Sequence, residues 1–234
     1  MAIALDGSAI SGSITTGDTL TLPSWTPTAN NPVLLAIAQR NETIAISVAG
    51  NSLTWTSIAN VDNTQNEGGI ALWRGRGASP TTGSITITVT GNLLPVVGIA
   101  QQFSGVDTTT DDGVEAFATN AGPAVDDNDM LQAVTTISDN AWAVAGGWHR
   151  GNVNLTVPAG ETAILVNVRA GTGGNITNAD LWYQGPVTPP ASTQLGDLND
   201  LSAAVDWAMI VVSLKPSALF PDELLIGRRL MSVP

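Results

Sequence analysis

Apolar and polar residues alternate at period two through much of the chain. From Ser84 to Thr90, Ile85, Ile87 and Val89 fall on one side and Ser84, Thr86, Thr88 and Thr90 on the other. That is the pattern of a strand with one wet face. Ile44, Ile46 and Val48 repeat it, as do Val153, Leu155 and Val157. Val33 to Ala38, Leu94 to Ala100 and Trp207 to Leu214 are instead almost continuously apolar, as strands covered on both faces are. Turn residues punctuate these runs at Ala49-Gly50-Asn51, Thr90-Gly91-Asn92 and Ala159-Gly160. No amphipathic helical period precedes residue 218. The pattern predicts an all-β chain.

The segments recur. The first half carries Gly17-Asp18-Thr19-Leu20, the apolar run ending at Arg40, Leu72-Trp73, and the run from Val96 to Phe103. The second carries Asn128-Asp129-Met130-Leu131, the run ending at Arg150, Leu181-Trp182, and the run from Trp207 to Leu214. Leu20 and Leu131 lie 111 apart, Arg40 and Arg150 110, and Trp73 and Trp182 109. With the strand of Ile46 and that of Leu155 added, five matched segments at nearly one offset indicate an internal duplication. Neither half can bury its apolar faces alone, so the two should pack face to face around one core. The expectation is a two-sheet, jelly-roll-like sandwich of roughly 10 to 14 strands. Residues 104–113 are too short a crossing for a free linker. We therefore expect one domain over 1–217, with repeats 1–105 and 112–216, followed by a tail, 218–234.

Composition narrows the partners. Charged residues make up only 12% of the chain, the net charge is -12, and Lys215 is the sole lysine. Phosphate recognition needs a basic stripe, so nucleic acid and anionic membranes are excluded as partners. No apolar run approaches the ~20 residues of a membrane span. Cysteine is absent, which removes disulfides and thiolate metal sites. Met1 to Asp6 enter a strand directly, without a basic segment and apolar stretch, so folding in the cytoplasm is expected.

Candidate chemistry is sparse. A Ser-His-Asp arrangement would have to use His149, the one histidine, and no Gly-x-Ser-x-Gly elbow supplies its nucleophile. His149 is expected to end a strand and bond a loop backbone. Glycoside hydrolysis needs two facing carboxylates. Glu42, Glu67, Glu115, Glu161 and Glu223 stand alone, while Asp111, Asp112 and Glu115 read as a solvated loop. Asp126-Asp127-Asn128-Asp129 lacks the Gly and distal Glu of a calcium loop. Gly171-Thr172-Gly173-Gly174 lacks the Lys of a phosphate cradle. We expect no catalytic residue, no metal site and no cofactor.

Two features remain. Trp73 and Trp182, matched in the repeat, read as core anchors. Trp25, Trp55 and Trp148 lie near strand ends and are candidate glycan-stacking residues. The tail follows the second repeat, so the sandwich should fold without it. It nevertheless holds Phe220, Leu224, Leu225 and Leu230 beside the adjacent pair Arg228 and Arg229. Apolar side chains left in water are unfavourable, so the tail should dock either on its own domain or on a neighbouring subunit, and in the second case these six are the candidate partner-binding residues.

Ile3-Ala4-Leu5-Asp6-Gly7-Ser8-Ala9, the strand Val33 to Ala38, Leu72-Trp73 and Phe103-Ser104-Gly105-Val106-Asp107 resemble the duplicated jelly-roll-like sandwiches of tailed-phage virion accessory proteins and of bacterial surface modules. The resemblance covers residues 1 to about 216 and carries no catalytic residues over. It implies a non-enzymatic structural protein that decorates a capsid or forms a fibre. Its partners would be other protein subunits, as a homo-oligomer or on capsid proteins, and its location the virion. Scarce lysine suggests poorly guarded sheet edges, which suits a subunit whose surfaces become covered. The alternative is a carbohydrate-binding or adhesion module at a cell surface.

Overall fold

The computed structural model describes residues 1–40, 46–91, 94–109 and 113–218. The first half contains β1 (Ala4–Ile14), β2 (Thr19–Thr21), β3 (Val33–Gln39), β4 (Ile46–Ala49), β5 (Thr54–Asp62), β6 (Gly69–Arg76), β7 (Thr86–Val89) and β8 (Val96–Ser104). The second contains β9 (Val114–Asn120), β10 (Gln132–Thr135), β11 (Ala141–Arg150), β12 (Thr162–Ala170), β13 (Thr177–Val187), β14 (Ser192–Leu195) and β15 (Trp207–Leu214). A 3₁₀ turn spans Gly173–Asn175.

The two halves share one topology. The large sheets run β1-β8-β3-β6-β5 and β9-β15-β11-β13-β12, the same order of equivalent strands. Registers agree as well. Leu35 pairs with Trp73 and Ala100, and its counterpart Ala145 pairs with Trp182 and Val211. Trp73 and Trp182 thus occupy equivalent places on β6 and β13, at the offset the sequence carries.

Each half is itself a two-sheet sandwich. A small sheet, β2-β7-β4, covers the outer face of the first large sheet, and β10-β14 covers the second. Where pairing two halves predicts a single core, the structure has three, in four layers. Leu20, Leu35, Ile37 and Ile87 fill the outer core of the first half. Met130, Ala145, Trp182 and Trp207 fill that of the second. The central core takes the opposite faces of the large sheets: Leu34, Leu72 and Ile99 meet Val144, Leu181 and Ile210. These are equivalent residues in the repeat. Every residue of β3 and β15 is buried, which accounts for their continuously apolar sequences.

The central contact has a pseudo-twofold character. β3 lies against β13 as β11 lies against β6, and β8 against β12 as β15 against β5. Such an interface is isologous: one patch serves on both sides. Its symmetry is broken where Trp148 stands at the position equivalent to Ala38. The indole crosses into the first half, and a Cβ on Gly68 would fall 2.3 Å from its Cζ2.

All four outermost strands of the large sheets carry bulges. Pairing slips between Asp6 and Ile10 on β1, and between Ser57 and Ala59 on β5. It also slips beside Glu115 on β9, and twice on β12, after Ala163 and after Leu165. A bulge twists an edge and interrupts its row of free backbone groups. The edges are therefore guarded without lysine, and scarce lysine is no sign of surfaces awaiting cover.

The segment with Val153, Leu155 and Val157 keeps its alternation but is not a ladder strand. Leu155 makes only an isolated bridge to Leu201. The side chain of Asn167 accepts from Leu155 N at 2.7 Å and donates to Leu155 O at 3.0 Å. An amide side chain here takes the place of a neighbouring strand.

Gly68→Ala is expected to displace the Trp148 indole and destabilise the protein by about 1–3 kcal/mol, the usual cost of overpacking. Urea denaturation checks this, and an unchanged midpoint would contradict the packing described.

Candidate functional site

Charge collects at one end of the molecule. Arg40, just past the end of β3, and Arg150, the last residue of β11, are equivalent in the repeat and converge on one carboxylate. Arg40 Nη1 pairs with the Glu67 carboxylate and also donates to the Glu67 carbonyl. Arg150 Nη1 lies 3.5 Å from Glu67 Oε2 and 2.8 Å from Asp206 Oδ2, and its Nη2 lies 3.9 Å from Asp126 Oδ2. The Asp206 side chain is fully buried, whereas that of Glu67 is 40% exposed. The hydrogen bond from Arg40 holds the Glu67 carboxyl below its usual range, against burial. Burial pushes Asp206 up, against the attraction of Arg150. Arg40 and Glu67 belong to the first half, and Arg150, Asp126 and Asp206 to the second. The cluster is an ionic clasp across the two halves.

His149, one residue before Arg150, is fully buried, and its Nε2 lies 3.2 Å from Asp180 Oδ2. Its partner is thus a carboxylate rather than the expected loop backbone. The loop is bonded instead by Asn178, which donates to the carbonyls of His149 and Gly151. Asp180 Oδ1 accepts from the backbone N of Asn167 at 2.7 Å. His149 lies on the face of β11 that Ala143 and Ala145 turn towards the outer core.

Other acids are structural. Asp111 and Asp112 lie outside the described residues. Glu115, expected in a solvated loop, is the bulge residue of β9. It accepts from Ile137 N at 2.9 Å, Ser138 Oγ at 2.7 Å and Ser213 Oγ at 2.8 Å. Burial raises its pKa, but these bonds outweigh it and the net direction is down. Asp127 Oδ1 accepts from Trp207 Nε1 at 2.5 Å, and Asp129 Oδ1 from Asn199 N at 2.8 Å. Among the described residues, no group of three or more His, Cys, Asp or Glu is arranged to hold a metal ion. No helix among them is long and apolar enough to cross a membrane.

The three candidate glycan tryptophans separate. Trp148 is fully buried in the central core, and its Nε1 donates to Thr177 Oγ1 at 2.6 Å. It has no face to offer a sugar, and its sequence position near a strand end concealed this. Trp25 and Trp55 are half-buried against the outer core of the first half. Both approach the turn at Gly50 and Asn51: Asn51 Nδ2 donates to the Trp25 carbonyl, and Trp55 Nε1 to the Gly50 carbonyl. The Trp55 ring also covers Gly75, the residue it pairs with across the ladder.

The opposite end carries an apolar pocket beside an ion pair, Lys215 Nζ to Asp107 Oδ2 at 2.8 Å. β1 begins there, β8 and β15 finish there, and the crossing between halves lies beside them. Val106 bridges Pro216, and Ser217 N donates to the Gly105 carbonyl at 2.8 Å. A pocket of about 500 Å³ opens here, with Ile3, Trp142, Pro186 and Pro216 in its walls, Asn140 at its rim and Ala218 beside it. Tyr183 stacks on Trp142 at 4.3 Å, and Phe103 meets it edge-on. Met1, Leu5 and Ile137, three of the large apolar side chains left exposed, belong to this end. Sequence reasoning missed the pocket, whose walls come from segments more than 200 residues apart. The tail candidates Phe220, Leu224, Leu225, Arg228, Arg229 and Leu230 lie outside the described residues. No family model, curated protein or solved structure matches this chain.

Two predictions follow from the charged groups. Arg150→Met leaves the buried Asp206 carboxylate without its cation and should cost about 3–5 kcal/mol. Arg40→Met frees a partly exposed partner and should cost less, which urea titrations of the two variants would rank. Asp200, which accepts from Met130 N at 3.0 Å, is pushed up to about 6 by burial. A raised folded pKa stabilises at low pH and loses that contribution as pH rises through 6. A ¹³C carboxyl titration should place the Asp200 midpoint near 6, and Asp200→Asn should remove this part of the pH dependence of melting. A midpoint in the ordinary carboxylate range would refute both.

Proposed function

We propose that this chain is a non-enzymatic structural module, a tailed-phage virion component that decorates a capsid or builds a fibre. The fold is a non-catalytic-looking all-β sandwich, consistent with a structural or adhesion role. The observation that carries the assembly reading is the contrast between the two ends. One is closed by the arginine clasp. The other presents an apolar pocket, exposed Met1, Leu5 and Ile137, and the point at which an apolar tail leaves the body. Contact cores are apolar with polar or arginine rims, and the tail supplies Leu224, Leu225 and Leu230 with Arg228 and Arg229. Its partners are other protein subunits, as further copies or capsid proteins, and its place is the virion.

An adhesion module at a cell surface is the second reading, favoured by Trp25 and Trp55 at one turn. Hydroxyl pairs lie nearby, Ser52 with Thr81 at 3.0 Å and Thr26 with Thr82 at 2.5 Å. Glycan-array binding lost in Trp25→Ala or Trp55→Ala would favour it over assembly.

A chain truncated after Pro221 should remain folded, with a melting temperature shifted by less than about 2 °C. It should lose the self-association or capsid binding of the full chain in sedimentation, and capsid fractions should contain the full chain alone. Undiminished assembly by the truncated chain would remove the reading.

A further inference from the structure

We propose that the pocket at the apolar end is the docking site of the chain's own C-terminal segment, with Phe220 as the side chain that fills it. The inference takes the pocket itself out of the surface offered to partners and leaves that role to exposed Met1, Leu5 and Ile137 and to residues 222–234. It starts from the walls: Ile3, Trp142, Pro186 and Pro216 enclose about 500 Å³ of largely apolar space, enough for an aromatic ring. Apolar surface of this kind is stabilised by an apolar occupant, because both partners leave water.

Chain geometry then selects the occupant. Ala218 lines the pocket, and Ser217 is pinned by its bond to Gly105, so the root of the tail is fixed at the mouth. Extended backbone advances at most ~3.6 Å per residue, which confines Phe220 to within about 7 Å of Ala218. Pro221 follows Phe220, and a residue before proline favours extended backbone. Pro216, Ser217 and Ala218 all line this space, so the segment leaves from its wall and the first aromatic side chain of the tail is within reach of it.

Tethering decides between the chain's own segment and that of a second copy. A two-residue tether gives an effective concentration on the order of millimolar or above, which a free competitor must exceed. Once Phe220 is in place, residues 222–234 start from a fixed point at the pocket, and their apolar and arginine side chains are left for other contacts.

The full chain, isotope-labelled, provides the test. Phe220 ring protons should show nuclear Overhauser contacts to the Ile3 methyl groups. These should be absent from isotope-filtered spectra of labelled and unlabelled chains mixed together. Contacts seen only in the filtered spectra would assign the pocket to a second copy, and no contact at all would leave Phe220 outside it; either result overturns the proposal. Anilinonaphthalene sulfonate supplies a second readout. Its fluorescence should rise several-fold with Phe220→Ala over the parent chain and stay at the parent level with Leu224→Ala. Equal fluorescence in the parent and Phe220→Ala would also overturn it. Truncation after Pro221 keeps Phe220, so loss of assembly there leaves the result for the pocket intact.

Discussion

The molecule depends on the contact between two sheets that are each buried on both faces. A large sheet in either half turns one face to its own small outer sheet and the other to the partner half. The central core forms only when both halves are present, since it is made of equivalent residues such as Leu72 and Leu181 or Ile99 and Ile210. A strand with two apolar faces has no face to give to water, so a half on its own would expose a whole sheet surface. That surface would far exceed the few hundred Å² of contiguous apolar patch that a soluble monomer tolerates. Covalent linkage through residues 104–113 makes the required partner always present.

Duplication leaves traces where the copies have diverged. Trp148 stands where the first half has Ala38, and the space it needs is provided by a glycine, Gly68, on the other half. Glu67 accepts both equivalent arginines, so one carboxylate serves a pair of sites that strict symmetry would give two. The second half compensates with Asp126 and Asp206 around Arg150. Departures from symmetry therefore occur as matched sets across the interface, as an isologous contact requires when one side changes.

Much of this was legible in the sequence. The offsets of 109 to 111 between Leu20, Arg40 and Trp73 and their counterparts reflect equivalent strands in a common register. The alternation in Ser84 to Thr90 marks the outer sheet, whose inward Ile85, Ile87 and Val89 are buried. The continuous runs announced strands covered on both sides, but such a run does not name what covers it, and the two outer layers were folded into one sandwich for that reason. The edge bulges were hidden because a bulge depends on the neighbouring strand's register, which local pattern does not contain. Trp148 was misplaced for a related reason: its partner, Gly68, is 80 residues away in the other half. Asn167 standing in for a strand beside Leu155 is likewise a long-range substitution with no local signal.

The two ends of the molecule follow from one topological fact. Equivalent strands of the two halves finish side by side, which brings Arg40 and Arg150 within reach of Glu67 at one end. At the other lie the crossing and the last residues of β15. Where like-charged arginines meet, carboxylates are needed to hold them, and the clasp is closed on itself. At the opposite end Phe103, Val106, Trp142 and Leu214 are packed into the central core, and Lys215 and Asp107 pair with each other at 2.8 Å. What is left uncovered there is the rim of that core, beside Met1 and Ala218.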